Sequence, residues 1–130
     1  MDDCIFCKIV GKEIPVDPIY EDEDVIAFLD IRPVNKGHVV LISKKHFENL
    51  FETPDEVLTK LIISTKKIGK AIRKALNSDK VVVVVWGEDV SHTHIHLIPK
   101  NKDDSLHFWK QGSYEEREVD EITEKIRLSF

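Results

Sequence analysis

The chain has 130 residues, of which 42% are hydrophobic and 33% charged, and its formal net charge is −5. That length suits one domain with its own core and no need of disulfides, so residues 1–130 are read as a single domain. The acidic balance argues against bulk nucleic-acid binding, which wants a basic face for the phosphates.

The start, Met1-Asp2-Asp3-Cys4, has neither the basic nor the apolar stretch of a signal peptide. The longest apolar run, 81–86, falls far short of the roughly 20 residues that span a bilayer. No membrane contact and a cytoplasmic location are expected, with both cysteines reduced unless metal holds them.

In chain order, Pro15 and Pro18 keep the stretch after the short 4–10 segment out of helix. Residues 25–29 read as a buried strand that ends at Asp30 and the turn 32–37, and 38–42 read as the returning strand of a hairpin. Thr53-Pro54-Asp55-Glu56 predicts a helix with Thr53 as N-cap, Pro54 at the first position and Glu56 closing a capping box. Val57, Leu61, Thr65, Ile68 and Ile72 share one face of it, and Asn77-Ser78-Asp79 stops it. Five valines, 81–85, predict a strand covered on both faces. Residues 87–89 turn the chain, 90–98 alternate as a further strand, and Pro99 ends it. Ser113 with Glu116 predicts a C-terminal helix to about Leu128. The fold class is α+β: an antiparallel sheet of about five strands, one long helix packed on it, and a C-terminal helix.

His92, His94 and His96 fall two apart, so all three leave the same face of a strand while Thr93, Ile95 and Leu97 leave the other. Three imidazoles in register are a poor use of an exposed strand, since histidine has no special strand propensity. Two chemistries suit them. The set can chelate a catalytic metal, or the central ring can be a nucleophile between two others that bind and protonate an anionic substrate. The strand does not choose. Cys4-x-x-Cys7 reads as metal-binding or redox-active, and two thiolates need two more ligands for tetrahedral zinc.

Cys4-Ile5-Phe6-Cys7-Lys8-Ile9-Val10, Glu13-Ile14-Pro15, Tyr20-Glu21-Asp22, Ala27-Phe28-Leu29-Asp30-Ile31, Gly37-His38, Lys44-Lys45-His46 and His92-Thr93-His94-Ile95-His96-Leu97-Ile98-Pro99 together resemble the histidine triad (HIT) family, in particular its Hint-type branch. The likeness runs in order over residues 4–100. It implies a hydrolase that cleaves at the α-phosphorus of a purine nucleotide phosphoramidate, ester or anhydride. The middle histidine, His94, would form a nucleotidyl-histidine intermediate, while His96 and His92 contact phosphate oxygens or orient the ring. A weakly active nucleotide-binding or scaffold protein of the same fold is the alternative.

By the same resemblance, Phe6, Ile9, Phe28 and Ile31 surround the base and Asp30 accepts from the ribose hydroxyls. Read from the residues alone, the four apolar side chains are ordinary core and Asp30 starts a turn. The resemblance also implies one structural zinc per chain on Cys4, Cys7, His46 and His92, with no metal in the chemistry. It implies a homodimer too, joined through an edge strand and the long helix, to which the 81–85 run and Ile62 and Ile63 would contribute.

The chain departs from the family's pattern before the histidines. Val85-Trp86-Gly87-Glu88-Asp89-Val90-Ser91 is shortened, and Glu88 or Asp89 replaces a neutral donor to the α-phosphate. Beyond residue 106 no family match is evident. His107, Phe108 and Trp109 read either as reaching a partner's site or as an edge strand or apolar contact.

Overall fold

The computed structural model describes residues 3–87, 89–106 and 110–130. The expectations for Glu88 and for His107, Phe108 and Trp109 lie outside the described residues. The elements are α1 (Ile5–Val10), β1 (Tyr20–Glu21), β2 (Val25–Leu29), β3 (Val39–Ser43), a 3-10 turn (Leu50–Glu52), α2 (Asp55–Leu76), β4 (Lys80–Val84), β5 (His94–Lys100) and α3 (Glu118–Arg127). The strands form one antiparallel sheet in the order β1-β2-β3-β5-β4. The α+β class is as expected; β1 and α1 are additions to the expected elements.

Alternation along the strands divides the interior in two. Val25, Ala27 and Leu29 of β2, Val39 and Leu41 of β3, and Ile95 and Leu97 of β5 meet Leu61, Ile68, Ala71 and Ile72 of α2 and Ile126 of α3. The opposite face carries Ile26, Phe28, Val40 and Ile42 under Phe6 and Ile9 of α1. On that second face His94 lies opposite Ile42, and His96 opposite Val40. Every residue of β2 and β3 is therefore buried, because both faces of these strands are covered.

The long helix is built as its composition suggests: acids Asp55 and Glu56 in the first turn, Arg73 and Lys74 in the last, and left-handed Asn77 ending it. Its predicted capping box does not form. Pro54 is the N-cap and no side chain caps the amides. The Thr53 hydroxyl instead donates to the Asn49 carbonyl and lies 2.7 Å from the Thr93 hydroxyl, which is buried with it. Tertiary contact has won over local capping there, and it ties the start of α2 to the segment that carries the histidines. The expected box of Ser113 and Glu116 is likewise absent; α3 begins after left-handed Arg117.

Two strand expectations need correction. The valines of 81–85 are not covered on both faces: β4 is the sheet edge, with Val83 50% and Val85 45% exposed. The last strand does not end before Pro99 but runs through it to Lys100. A strand residue aims its N and C=O to the same side. At Pro99 that side is beyond the end of β3, where Asn35 Nδ2 donates to the Pro99 carbonyl at 2.9 Å and no amide is required. The strand also starts later than expected, so His92 sits in the bend before it.

Candidate active site

Gly37 and His38 enter the second face just ahead of β3. Gly37 has φ of +95°, and a Cβ there would collide with the Leu76 side chain. That turn sets His38 fully inside, against His96. The backbone N–H of Val34 donates to His38 Nδ1 at 3.0 Å, so a neutral His38 carries its proton on Nε2. Burial, then the neighbouring His96, pulls the His38 pKa down to about 3, which keeps the ring neutral. Its Nε2–H therefore donates to His96 Nδ1 at 2.8 Å. His96, also held neutral by burial with a pKa of about 4, is left with a proton on Nε2. One backbone amide has fixed the tautomer of two rings.

His94 is oriented differently. Its Nδ1–H donates to the carbonyl of His92 at 2.6 Å, so the neutral ring has its lone pair on Nε2. Phe6 packs edge-on against it, with centroids 4.9 Å apart, and His96 flanks it at 4.9 Å. Nε2 faces the Asp89 carboxylate at 3.1 Å. An imidazole with one nitrogen anchored to a carbonyl and the other presenting a lone pair is equipped for nucleophilic attack.

His92 turns away from that point. Its Nε2–H donates to the Ser43 carbonyl at 2.6 Å, which leaves the Nδ1 lone pair for a metal. That Nδ1 lies 3.3 Å from Cys4 Sγ, 3.6 Å from Cys7 Sγ and 3.2 Å from His46 Nδ1, and Cys7 Sγ lies 3.2 Å from His46 Nδ1. Bonds of about 2.0–2.3 Å to a tetrahedral ion put ligands about 3.3–3.8 Å apart. The four side chains fit such an ion, and in the chain itself α1 supplies the spacing: Cys4 is its N-cap and Cys7 its third residue. The three histidines do not form one metal site between them. His92 Nδ1 faces the thiols, and His96 Nε2 bears a proton that it cannot shed while Val34 and His38 hold their bonds.

Phe6 and Phe28 meet edge to face at 6.2 Å on the second face. Phe28 and Ile31 line a cavity of about 440 Å³ with Pro15, Val16 and Val119, whereas Ile9 lines another with Ile14 and Ile26. Ile31 is 73% exposed. The five residues assigned to a nucleoside thus do not line one common cavity. Asp30 is half-buried; burial raises its pKa, and the Arg32 amide donating at 2.8 Å offsets this in part. Two cavities reach the histidines, one of about 190 Å³ lined by His92, His94, Trp86 and Phe51, the other of about 590 Å³ lined by Asp3, Cys4, His46, Glu48 and Asp89.

Geometry adds to what the sequence gives for two residues. In the sequence His38 is part of a motif, although period-two alternation from Val40 and Ile42 puts residue 38 on the histidine face. Asp89, expected with Glu88 to replace a donor to the α-phosphate, meets His94 Nε2, a contact that its spacing does not reveal.

The HIT domain model matches residues 11–103, most of the chain. The chain belongs to the HIT family. This HIT chain is 41% identical to an uncharacterised HIT-like protein of Methanocaldococcus jannaschii, over 95% of its own length and 98% of the relative's. It is 38% identical to adenylylsulfatase HINT3 of Arabidopsis thaliana, over 80% of this chain and 55% of that one. Adenosine 5'-monophosphoramidase HNT1 of Saccharomyces cerevisiae is also 38% identical, over 78% and 65%. Among solved structures, a HIT-like protein from Bartonella henselae involved in cell-cycle regulation superposes with a TM-score of 0.92 at 34% identity, covering 100% of this chain and 98% of the other. A zinc-bound histidine triad family protein from Mycobacterium smegmatis superposes at 0.88 and 31% identity, covering 98% and 93%.

Proposed function

We propose that this HIT chain is a nucleotide hydrolase that transfers a nucleoside monophosphate to His94 and then to water. The observation that carries this reading is the anchoring of His94 Nδ1 on the His92 carbonyl at 2.6 Å, which leaves Nε2 as the nucleophile. The Nε2 lone pair bonds to the α-phosphorus while the bond to the leaving group breaks. The Nε2–H of His96 donates to a phosphate oxygen as negative charge builds there, at no cost of protonating a buried ring. Water then attacks the same phosphorus from the vacated side, and the electron pair of the P–N bond returns to His94.

Phe6, Ile9, Phe28 and Ile31 hold the purine and Asp30 the ribose hydroxyls. The relatives named as an adenylylsulfatase and an adenosine monophosphoramidase support an adenosine-type substrate. Cys4, Cys7, His46 and His92 hold one structural zinc; with His92 as a ligand, the carbonyl that anchors His94 belongs to a fixed residue. The ion would supply rigidity, not chemistry. A homodimer joined along β4 and α2, and a cytoplasmic location, complete the reading.

Incubation with adenosine 5'-phosphoramidate and EDTA tests it: AMP is released, and an acid-labile adenylyl group on His94 is found by mass spectrometry after rapid quench. A protein that binds AMP but releases none from the substrate fits the second reading, a weakly active binding protein, which the Asp89 carboxylate at the attacking nitrogen favours.

A further inference from the structure

The turn 33–37, which sets the ring protons of His38 and His96, is held from outside itself. The Pro33 carbonyl accepts from the Gly112 N–H at 2.6 Å, and Asn35 Nδ2 donates to Asp104 Oδ2 at 2.9 Å. Lys36 Nζ pairs with Glu118 at 3.0 Å, and the Gly37 N–H donates to the Tyr114 hydroxyl at 3.2 Å. All four partners lie beyond residue 103, where the family match ends. The ties are unequal. Lys36 and Glu118 meet at the surface, where an ion pair contributes little. Gly37 is buried, so without Tyr114 its amide becomes a buried donor with no acceptor, a loss larger than the net contribution of the bond.

We propose that Tyr114 is a positioning residue for His96 and acts through this turn, an inference that rests on the proposed donation from His96 Nε2 to phosphate. Two neutral imidazoles joined by one hydrogen bond can run it in either direction. With the His38 proton on Nε2, that atom donates to His96 Nδ1, and His96 keeps its own proton on Nε2. With the His38 proton on Nδ1 the bond reverses: His96 Nδ1–H donates to His38 Nε2, and His96 Nε2 turns a bare lone pair to the phosphate. Both arrangements are uncharged, so burial does not choose between them. The Val34 N–H, 3.0 Å from His38 Nδ1, does choose, because a proton on that nitrogen would set two donors against each other.

Val34 keeps its place only while the turn keeps its shape. Gly37 closes that turn at φ of +95°, with the Leu76 side chain standing where a Cβ would be, and the His38 N–H returns to the Asn35 carbonyl at 3.0 Å. A Gly37 amide deprived of its acceptor draws the turn toward water, and the Val34 amide moves with it. The segment after β5 thus biases the direction of the His38–His96 bond without touching either ring through Tyr114.

The test is Tyr114→Phe, which removes the hydroxyl and keeps the ring that packs against the α2 side of the core. Its control is Arg127→Gln, which cuts the tie of Arg127 to Asp17 at the far end of α3 and leaves the turn alone. Nitrogen NMR of histidine-labelled protein, as purified and at pH 7, reads the tautomers, since both rings are neutral there. Wild type and Arg127→Gln are expected to hold both protons on Nε2, and Tyr114→Phe to show a measurable share with both on Nδ1. Exchange of the Gly37 and Val34 amides should quicken roughly ten-fold in Tyr114→Phe, with the amides of β3 unchanged. With adenosine 5'-phosphoramidate, kcat should fall about five-fold, the order of one lost hydrogen bond, while KM holds. Unchanged ring nitrogens in Tyr114→Phe, an equal change in both variants, or moved ring protons with wild-type kcat each overturn the inference. If wild type releases no AMP, the hydrolase reading is what fails, and the ring nitrogens still decide whether Tyr114 sets the His96 tautomer.

Discussion

His94 and Asp30 carry the two most direct tests of the chemistry. Replacing His94 by Ala removes the only protein atom that bonds to phosphorus in the proposed reaction while leaving Phe6, Ile9, Phe28 and Ile31 in place. Turnover is expected to fall by on the order of 10⁴-fold or more with AMP affinity retained. A steady-state assay paired with calorimetry decides; turnover close to wild type would remove His94 as nucleophile. Asp30→Ala should weaken AMP binding by about 1–3 kcal/mol, the range for hydrogen bonds to a charged acceptor. Part of its carboxylate is already engaged by the Arg32 amide, so a deficit beyond that range would point to collapse of the turn instead. Identical AMP affinities for variant and wild type would count against the ribose assignment.

At the scale of elements, α1 and the end of β3 matter most. A helix of six residues contributes Cys7, its N-cap is Cys4, and the segment after β3 contributes His46. The metal would therefore staple α1 to the sheet where Phe6 packs on His92 and His94. Protein purified without chelator is expected to hold about one zinc per chain by elemental analysis, and Cys7→Ser to hold much less. Zinc retained in full by Cys7→Ser would show that the ion sits elsewhere. Thr53 and Thr93 make the matching tie on the other face. Their hydroxyl pair explains why a sequence that spells a capping box forms none: the buried partner outcompetes the exposed amides of the helix start.

Across the whole molecule, two exposed apolar sets belong to β4 and α2. Val83 and, just beyond the strand, Val85 stand 50% and 45% exposed at the edge of β4, and Ile62 and Ile63 stand 55% and 51% exposed on α2. An unpaired apolar edge invites a second copy across a two-fold axis. Light scattering at micromolar concentration is expected to give twice the 15.0 kDa chain mass, and Val83→Glu with Ile63→Glu to give the single mass. A wild-type chain at the single mass would refute the dimer. The buried histidines also set an acid limit. His38 and His96 have folded pKa values of about 3 and 4 against 6.5 when unfolded. Above 6.5 neither state binds these protons; below it the unfolded chain binds them and the native one does not, so stability falls as pH drops. Chelator-treated protein should show a lower unfolding midpoint at pH 5 than at pH 7, a window above the ordinary carboxylate range. A flat midpoint across it would contradict the neutral pair.

Periodicity by itself determined a good deal of this chain: the β2–β3 hairpin, the buried face of α2, its stop at Asn77, and histidines 94 and 96 on a single face. Motif order determined the family and the four metal-ligand candidates. These are legible because a strand repeats every two residues and a helix about every 3.6, whatever the rest of the molecule does. Tertiary structure decided what depends on neighbours far along the chain. It made the valine run an edge by placing β5 between β3 and β4, let β5 pass through Pro99 by starting β3 only at Val39, and drew Thr53 from its cap to Thr93. It gave His38 its role as well. Which nitrogen of His96 bears the proton follows from the Val34 amide, 62 residues away in sequence, through two rings that only the folded sheet brings within 2.8 Å.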